Sequence, residues 1–262
     1  MTELLAPLRA DPPRAAAMFD VDGTLAPIVR HADDAAISES TRSLLTAIAR
    51  RYGLVACISG RQASDTRRIV SIGSIAYVGS HGGELLPPGG VEPQVDPELR
   101  AWRRRVQAFA RETDTAALAR LRVRLEDKGA ITAFHWRGAP DEAAAAAAVE
   151  EIAREAEQGG FHTHWGRKVL EVRPPVRIDK GVGVRTLLRS ADVDAALYAG
   201  DDNTDLDAFR ALDELVGQGR LRSAVKIGVR SDEGPVEIEQ EADVVIDGTA
   251  GVHRLLEALT AP

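Results

Sequence analysis

The 262-residue chain has little of what several classes of protein require. Its single cysteine, Cys57, excludes an internal disulfide framework. No apolar run is long enough to span a bilayer, and the first residues, MTELLAPLRADPP, lack the basic start and apolar segment of a secretory signal. The net charge of −7 argues against a nucleic-acid surface, which needs a clustered basic face. We therefore expect a cytoplasmic protein, monomeric or weakly oligomeric, with neither nucleic acid nor membrane as partner.

Lysine is also scarce, although basic residues are not. Of the 33 basic residues only four are lysines, and the chain is rich in arginine and alanine. A lysine that persists against such a bias is a candidate for a role in which arginine cannot replace its compact ammonium group. The four lysines are Lys128, Lys168, Lys180 and Lys226.

Strand and helix signals alternate in the first third of the chain and again from about residue 177. Short apolar runs such as AAAMF and LVACI are typical of buried parallel strands, and the helical segment SESTRSLLTAIARRYG lies between these two. A Pro- and Gly-rich linker at 86–97 separates this pattern from a middle segment with paired strands and helices. We predict an α/β fold in which a parallel-sheet core (1–88 and 176–262) is interrupted by an α+β domain (89–175) with an antiparallel sheet.

Polar clusters follow four of the predicted strands of the core. They are DVDGT, SGR at 59–61, SHGGE at 80–84 and GDDNTD at 200–205, and Lys180 starts a helix just after the inserted segment. Each has an ordinary explanation alone, as an Asx turn, a helix cap or a solvated lysine. Together they predict a site, because ligands of open parallel sheets bind outside the carboxyl ends of the strands.

These residue types suit phosphate chemistry. Asp20 and Asp201 can share one Mg²⁺, a hard cation that prefers carboxylate oxygens and water. A phosphate beside that ion would meet Lys180 and the Ser59 hydroxyl on its other side. Asp20 is then the candidate nucleophile, and Asp22 the candidate general acid and base.

DVDGT, Ser59, Lys180 and GDDNTD resemble, in this order, the four motifs of the haloacid dehalogenase (HAD) superfamily of phosphohydrolases. The resemblance implies a Rossmann-like core with an inserted cap of the C2B type, with catalytic roles for Asp20, Asp22, Ser59 and Lys180. It also implies Mg²⁺ held by Asp20, the backbone carbonyl of Asp22 and Asp201, with Asp202 or Asp205 near the ion. Thr24 and Gly60, within the first two motifs, are predicted to contact the substrate.

A narrower resemblance is to trehalose-6-phosphate phosphatases. FDVDGTLAPI, SGR, HGGE, LEDKG, FHWR, GRKVLEVRP, DKG and GDDNTDLDAF occur in the order found in that family. The resemblance implies hydrolysis of trehalose 6-phosphate to trehalose and phosphate through an aspartyl-phosphate. The sugar contacts that it implies are Arg124, Glu126, Lys128, Lys168 and Glu171 from the cap, with His81 and Arg61 from the core.

Alternatives remain at this point. Ser80 and Leu206 replace the Asn and Glu that are usual in the family, which leaves room for another sugar phosphate, such as sucrose phosphate or a mannosyl phosphoglycerate. A phosphomutase would keep the same nucleophile, and a sugar-phosphate-binding regulator is disfavoured by the complete catalytic set. Without the resemblance, the charged cap residues fit a solvated strand pair equally well. Two histidines in HTH, without a third ligand, do not predict a zinc site.

Overall fold

The computed structural model describes residues 3–29, 34–95, 97–231 and 234–261. The chain divides into two compact units. The first combines Met1–Gln94 with Ile178–Pro262, and the second is Val95–Arg177. Within the described residues the first unit contains a seven-stranded sheet and the second a four-stranded sheet. The second unit is therefore an insertion in the sequence of the first.

Helices and strands alternate along most of the chain. The strands are β1 (Ala15–Phe19), β2 (Leu54–Ile58), β3 (Ala76–Gly79), β4 (Glu84–Leu86), β5 (Arg124–Asp127), β6 (Thr132–His135), β7 (His162–Gly166), β8 (Val169–Arg173), β9 (Ala195–Gly200), β10 (Ser223–Arg230) and β11 (Val244–Asp247). The α-helices are α1 (Ala6–Ala10), α2 (Glu39–Ala49), α3 (Ala63–Val70), α4 (Pro97–Thr113), α5 (Ala116–Arg120), α6 (Glu142–Gln158), α7 (Lys180–Ser190), α8 (Asp205–Gly217), α9 (Val236–Glu241) and α10 (Gly248–Thr260). In the described part of the chain, none of the helices combines the length and the apolar composition that crossing a bilayer requires.

The sheet of the first unit has the strand order β11-β10-β9-β1-β2-β3-β4. Its neighbouring strands are parallel except for the antiparallel pair of β3 and β4 at one edge. Strand β1 lies between β9 and β2, with Phe19 in register with Ala199 on one side and Cys57 on the other. The predicted α/β fold with a parallel-sheet core is confirmed.

The central strand is apolar along its whole length because both faces of the sheet are covered. Alternate side chains of a strand point to opposite faces. Ala15, Ala17 and Phe19 pack in a core that includes residues of α2 and α10, whereas Ala16 and Met18 pack in a second core with residues of α7 and α8. The uninterrupted run AAAMF therefore reflects a strand buried on both sides.

Sheet pairing extends one residue beyond the ends of two central strands. The Asp20 N–H donates to the carbonyl oxygen of Ala199 at 2.8 Å, and the Ser59 N–H donates to that of Val78 at 2.9 Å. These bonds fix the backbone of the first polar residue after β1 and of the first polar residue after β2. Because the strands are parallel and adjacent, both residues lie at the same edge of the sheet.

The second unit has an antiparallel sheet with the strand order β5-β6-β8-β7. Phe134, Leu170 and Val172 on one face of this sheet pack with Val106 of α4 and Val149 of α6. Since the strands alternate between apolar and polar residues, this core lies on one face only. The opposite face carries the charged residues that are described below.

A buried carboxylate caps helix α3. The N-cap residue Gln62 makes no capping hydrogen bond through its side chain, and Glu84 instead accepts the N–H of Ala63 at 3.0 Å. We expect Glu84→Ala to lower the free energy of unfolding by about 1–3 kcal/mol, because a buried donor loses its partner. Glu84→Gln should cost less, since the amide oxygen can still accept this bond. Urea unfolding followed by circular dichroism measures both variants, and equal losses would contradict the capping role.

Candidate active site

A buried lysine lies among carboxylates at the carboxyl edge of the first unit's sheet. The Lys180 side chain is 2% exposed, and its Nζ donates to Asp20 Oδ1 at 2.7 Å and to Asp205 Oδ1 at 2.6 Å. Asp202 Oδ1 lies 3.6 Å from the same nitrogen. Burial lowers the pKa of Lys180, but the charges of Asp20 and Asp205 outweigh it and raise this pKa well above its ordinary value. The ammonium group is therefore charged.

The start of helix α7 fixes the backbone of this lysine. Asp179 is the N-cap residue, and its carboxylate accepts the N–H of Val182 at 2.8 Å. Lys180 is the first residue of the helix. A carboxylate at the N-cap satisfies an N–H group that has no partner within the helix. The cap made by Asp179 therefore fixes the backbone from which the Lys180 side chain extends.

The segment GDDNTD forms a tight turn between β9 and α8. Asp205 Oδ2 accepts the backbone N–H groups of Asp201 at 2.9 Å and Asp202 at 3.0 Å. Asp202 Oδ1 in turn accepts the N–H and the hydroxyl of Thr204 at 2.8 and 2.6 Å. A Cβ on Gly200 would lie 2.2 Å from Asp205 Cγ, so only glycine allows this approach. The turn buries Asp201 and Asp205, whereas the side chain of Asp202 remains half-exposed.

Negative charge exceeds positive charge in this cluster. Burial and a neighbouring carboxylate raise the pKa of Asp201 to about 7. Burial also raises the pKa of Asp20 well above its ordinary value, against the opposing charge of Lys180. At Asp202 burial is opposed by the Lys180 ammonium together with hydrogen bonds from Thr204 and Asp205, which lower the pKa to about 2. A second cation would stabilise the ionised forms of the two buried carboxylates.

The donor set fits a hard divalent cation. Carboxylate oxygens of Asp20, Asp201 and Asp205 lie within 4.8 Å of one another, and oxygen is the ligand that Mg²⁺ and Ca²⁺ prefer. Gly23 has φ +89°, and a Cβ there would lie 2.1 Å from Asp201 Oδ2. The Thr24 hydroxyl donates to the other oxygen of Asp201 at 3.0 Å. Glycine at position 23 therefore keeps space beside the carboxylate oxygen that Thr24 does not contact.

Asp22 is held by an arginine. Arg61 Nε lies 2.7 Å from Asp22 Oδ2, and Arg61 Nη2 lies 2.8 Å from Asp22 Oδ1. This bidentate geometry, with two parallel hydrogen bonds, is typical of strong arginine–carboxylate pairs. The sequence-based prediction assigned Arg61 to the sugar, and in this structure its guanidinium contacts the predicted acid and base.

Backbone hydrogen bonds join the loop after β2 to the loop after β3. The N–H of Ser80 donates to the carbonyl oxygen of Arg61 at 2.7 Å, and the N–H of His81 donates to that of Ser59 at 3.1 Å. Ser80 and His81 both have positive φ, 50° and 56°, a left-handed conformation that is rare outside glycine. The Ser59 hydroxyl oxygen accepts the N–H of Arg61 at 3.2 Å, and a Cβ on Gly60 would lie 2.7 Å from the His81 ring. The structure thus brings Ser59, Gly60 and His81 together.

In the second unit, a buried carboxylate is held by two cations. Lys128 Nζ lies 3.0 Å from Glu171 Oε1, and Arg173 Nε lies 3.0 Å from Glu171 Oε2. Burial disfavours the charged carboxylate, but Lys128 and Arg173 outweigh burial and lower the pKa of Glu171 to about 2. Glu171 is therefore ionised at neutral pH.

Glu126 lies in the same row of the sheet. Ala133 of β6 is in register with Glu126 on one side and Glu171 on the other, so the two carboxylates flank a small residue on the polar face. Glu126 Oε2 lies 2.8 Å from His135 Nε2 and 4.0 Å from Lys128 Nζ. The hydrogen bond with His135 outweighs burial and lowers the pKa of Glu126. The structure thus brings Glu126, Lys128 and Glu171 together.

Lys168 and Arg124 are the remaining predicted residues of the second unit. Lys168 has φ +61° in the turn between β7 and β8, and its Nζ contacts Glu142 of α6 at 2.6 and 2.8 Å. Arg124 begins β5 in register with His135 and is exposed. His162 and His164 are exposed on β7, and neither belongs to a potential metal cluster in the described chain.

Comparison with known proteins identifies the family. A family model, trehalose-phosphatase, matches residues 18–245. The chain belongs to the trehalose-phosphatase family. A trehalose-phosphate phosphatase of Mycobacterium marinum is 36% identical over 207 residues, which cover 76% of this chain and 52% of that protein. The resemblance drawn from the sequence motifs is confirmed. The chain spans about half the length of this curated relative.

Solved structures share the fold of this trehalose-phosphatase family member. A trehalose-6-phosphate phosphatase related protein has a TM-score of 0.72 at 22% identity, covering 94% of this chain and 96% of that chain. The trehalose-6-phosphate phosphatase of Aspergillus fumigatus has a TM-score of 0.68 at 23% identity, covering 99% and 97%. At these identities the likeness supports a common fold.

Sequence reasoning missed three residues of these clusters. Arg173 lies two residues after Glu171 on β8, so strand alternation places both on the same face and could have identified it. His135 could have been found in the motif FHWR, from its position on the strand next to Glu126. Tyr198 lies inside the buried strand β9, and its hydroxyl donates to Asp205 Oδ1 at 2.5 Å. An aromatic residue in a buried strand gives no signal of such a bond.

A substitution at Gly23 tests the cation site. We expect Gly23→Ala to weaken Mg²⁺ binding about tenfold or more, because the new Cβ displaces the Asp201 carboxylate and 1.4 kcal/mol suffices for that factor. Isothermal titration calorimetry measures the affinity directly. Gly89→Ala is the matched control, since Gly89 also has positive φ, +71°, and no atom within 4 Å of an added Cβ. Equal affinities in wild type and Gly23→Ala would contradict the site.

Proposed function

We propose that the chain is a Mg²⁺-dependent phosphatase that hydrolyses trehalose 6-phosphate to trehalose and phosphate. The observation that carries the proposal is the buried Lys180 beside Asp20, next to a carboxylate cluster that fits a divalent cation. Membership of the trehalose-phosphatase family and the name of the mycobacterial relative support the same substrate. A cytoplasmic location and a monomeric or weakly oligomeric state stay predictions from the sequence.

The proposed reaction has two steps at Asp20. First, an Asp20 oxygen forms a bond to phosphorus while the bond between phosphorus and the sugar oxygen breaks, and Asp22 gives its proton to that oxygen. Then water attacks the aspartyl-phosphate, Asp22 takes the proton of the water, and phosphate and the Asp20 carboxylate are released. Arg61, which donates to both oxygens of Asp22, would orient this group and favour the ionised form that takes the proton of the water in the second step.

Other residues would hold the phosphate in place. Lys180 and the Ser59 hydroxyl supply donors for its oxygens, and Thr24 and Gly60 belong to the loops beside them. When bound, Mg²⁺ would be held by Asp20, the Asp22 carbonyl and Asp201, and would offset the negative charge of the phosphate. Asp202 and Asp205 would lie near that ion.

We assign sugar recognition to the second unit, acting as a cap. Glu126, Lys128 and Glu171 would contact the hydroxyl groups of the disaccharide, because ionised carboxylates accept and ammonium groups donate hydrogen bonds. Arg124 is placed on the same face by strand register. Lys168 would have to exchange its contact with Glu142 for the sugar.

Phosphate release from purified protein tests the proposed function. With Mg²⁺ present, we expect trehalose 6-phosphate to be hydrolysed far faster than glucose 6-phosphate, because only the disaccharide satisfies the donors and acceptors of the cap. Sucrose phosphate and a mannosyl phosphoglycerate complete the panel. Faster release from either of them would assign the enzyme to that substrate instead.

The matched control for this assay is Asp20→Asn. The variant should lose turnover and retain the fold, since Asn is nearly isosteric and lacks the nucleophilic oxygen. Substantial residual turnover would overturn the assignment of Asp20. Absence of turnover in wild-type protein with every sugar phosphate, alongside measurable binding, would indicate a non-catalytic regulator.

Glu171→Ala tests the role of the cap. We expect this variant to lose activity on trehalose 6-phosphate about tenfold or more, as a lost hydrogen bond to a charged group does. Activity on p-nitrophenyl phosphate, which has no sugar, should change little. Measuring kcat/KM on both substrates separates the outcomes. Equal losses on the two substrates would show that Glu171 only stabilises the fold.

A further inference from the structure

We propose that the Tyr198 hydroxyl is a positioning group for Lys180, acting through the carboxylate of Asp205. The proposal rests on the proposed function for its kinetic consequence, because Lys180 is assigned there to the phosphate. The network itself lies within the first unit and is independent of the reaction. Tyr198 would touch neither the substrate nor the reacting atoms.

Asp205 has a hydrogen-bond donor at every position that a carboxylate offers. An ionised carboxylate has about four acceptor positions, two on each oxygen. Asp205 Oδ2 accepts the N–H groups of Asp201 and Asp202, and Oδ1 accepts Lys180 Nζ at 2.6 Å and the Tyr198 hydroxyl at 2.5 Å. The side chain is fully buried. We therefore assign Asp205 to holding the turn and the lysine.

Tyr198 reaches this carboxylate from a rigid position. It lies on strand β9, which is buried along its whole length, and its ring packs edge-on against Phe209 of α8 at 6.1 Å between centroids. The phenolic group therefore points in a fixed direction. A buried hydroxyl needs a partner, and Asp205 Oδ1 is the partner that the structure gives it.

The Tyr198 hydroxyl limits the position of Lys180, because a lysine ammonium group has little directional preference of its own. An ammonium group rotates freely and can donate to a carboxylate oxygen from a broad range of directions. With Tyr198 at one of the two acceptor positions of Oδ1, Lys180 is left with the other. The same ammonium also donates to Asp20 Oδ1 at 2.7 Å. Fixing the Asp205 contact therefore fixes Lys180 relative to the predicted nucleophile.

Tyr198→Phe removes the hydroxyl and keeps the ring, so the contact with Phe209 remains. Tyr77→Phe is the matched control. Tyr77 is also buried in a strand of the same sheet, and its hydroxyl donates to the carbonyl oxygen of Ile72 at 2.6 Å. Both variants lose the buried hydrogen bond that the tyrosine hydroxyl donates, and Tyr77→Phe also loses the bond that this hydroxyl accepts from the Ile72 N–H at 3.3 Å. Only Tyr198→Phe changes the surroundings of Lys180. Thermal unfolding of both variants checks that they fold.

Nuclear magnetic resonance of protein with ¹⁵N-labelled lysine measures the chemical shift and the proton exchange of the Lys180 ammonium group, and both depend on its hydrogen bonds. The chain has only four lysines, and Lys180→Arg assigns the signal of interest. We expect the Lys180 ammonium signal to shift in Tyr198→Phe, with proton exchange at least about fivefold faster, and to stay unchanged in Tyr77→Phe. An unchanged signal in Tyr198→Phe would overturn the proposal, whether or not the protein hydrolyses any sugar phosphate.

Kinetics on trehalose 6-phosphate test the consequence. We expect Tyr198→Phe to lower kcat about fivefold to tenfold with KM within about twofold, the size expected for the loss of one ordinary hydrogen bond. Tyr77→Phe should keep both constants. If wild-type protein turns over and kcat is the same in the two variants, Tyr198 is not a positioning residue. If wild-type protein shows no turnover, the proposed function fails and the lysine signal alone decides.

Discussion

The rest of the site depends on the buried ion pairs that the Lys180 ammonium group makes with Asp20 and Asp205. Asp20 precedes this lysine by 160 residues and Asp205 follows it by 25. The desolvation of buried charges is offset only when the geometry is good and the remaining hydrogen-bonding positions are filled. Here the backbone of the GDDNTD turn and a tyrosine hydroxyl fill them. One ionic cluster therefore links β1, the start of α7 and the turn before α8.

The sequence predicted where the parts of this cluster would meet, because strand order and strand ends follow from simple patterns. Uninterrupted apolar runs predicted parallel strands, and acids or hydroxyl residues just after such runs had to share one edge of the sheet. Asp20, Ser59 and Asp201 follow this rule. Lys180 was predicted to start the helix after the inserted segment, and it is the first residue of α7. The family resemblance added expected roles, whereas the common location came from the pattern of strands.

The pairing of long charged side chains was not predictable in the same way. Arg61 can reach several groups from its loop, and only the three-dimensional arrangement selects Asp22, which lies 39 residues earlier. Lys168 is adjacent in sequence to β8, but the positive φ of this residue, 61°, accompanies a side chain that contacts α6. Strand alternation gives the face of a residue in a strand, and it says nothing about a residue in a turn.

Charged side chains contribute differently to the stability of the two units. In the first unit Lys180, Asp20 and Asp205 are buried, so removing one of them leaves an uncompensated charge in the core. In the second unit Glu126 forms partly exposed pairs with His135 and Lys128, and the Glu126 side chain is 50% exposed. Such pairs contribute little to stability. Glu126 can therefore be replaced at little cost to the free energy of unfolding, whereas an apolar replacement in the buried cluster would leave a buried charge without its partner.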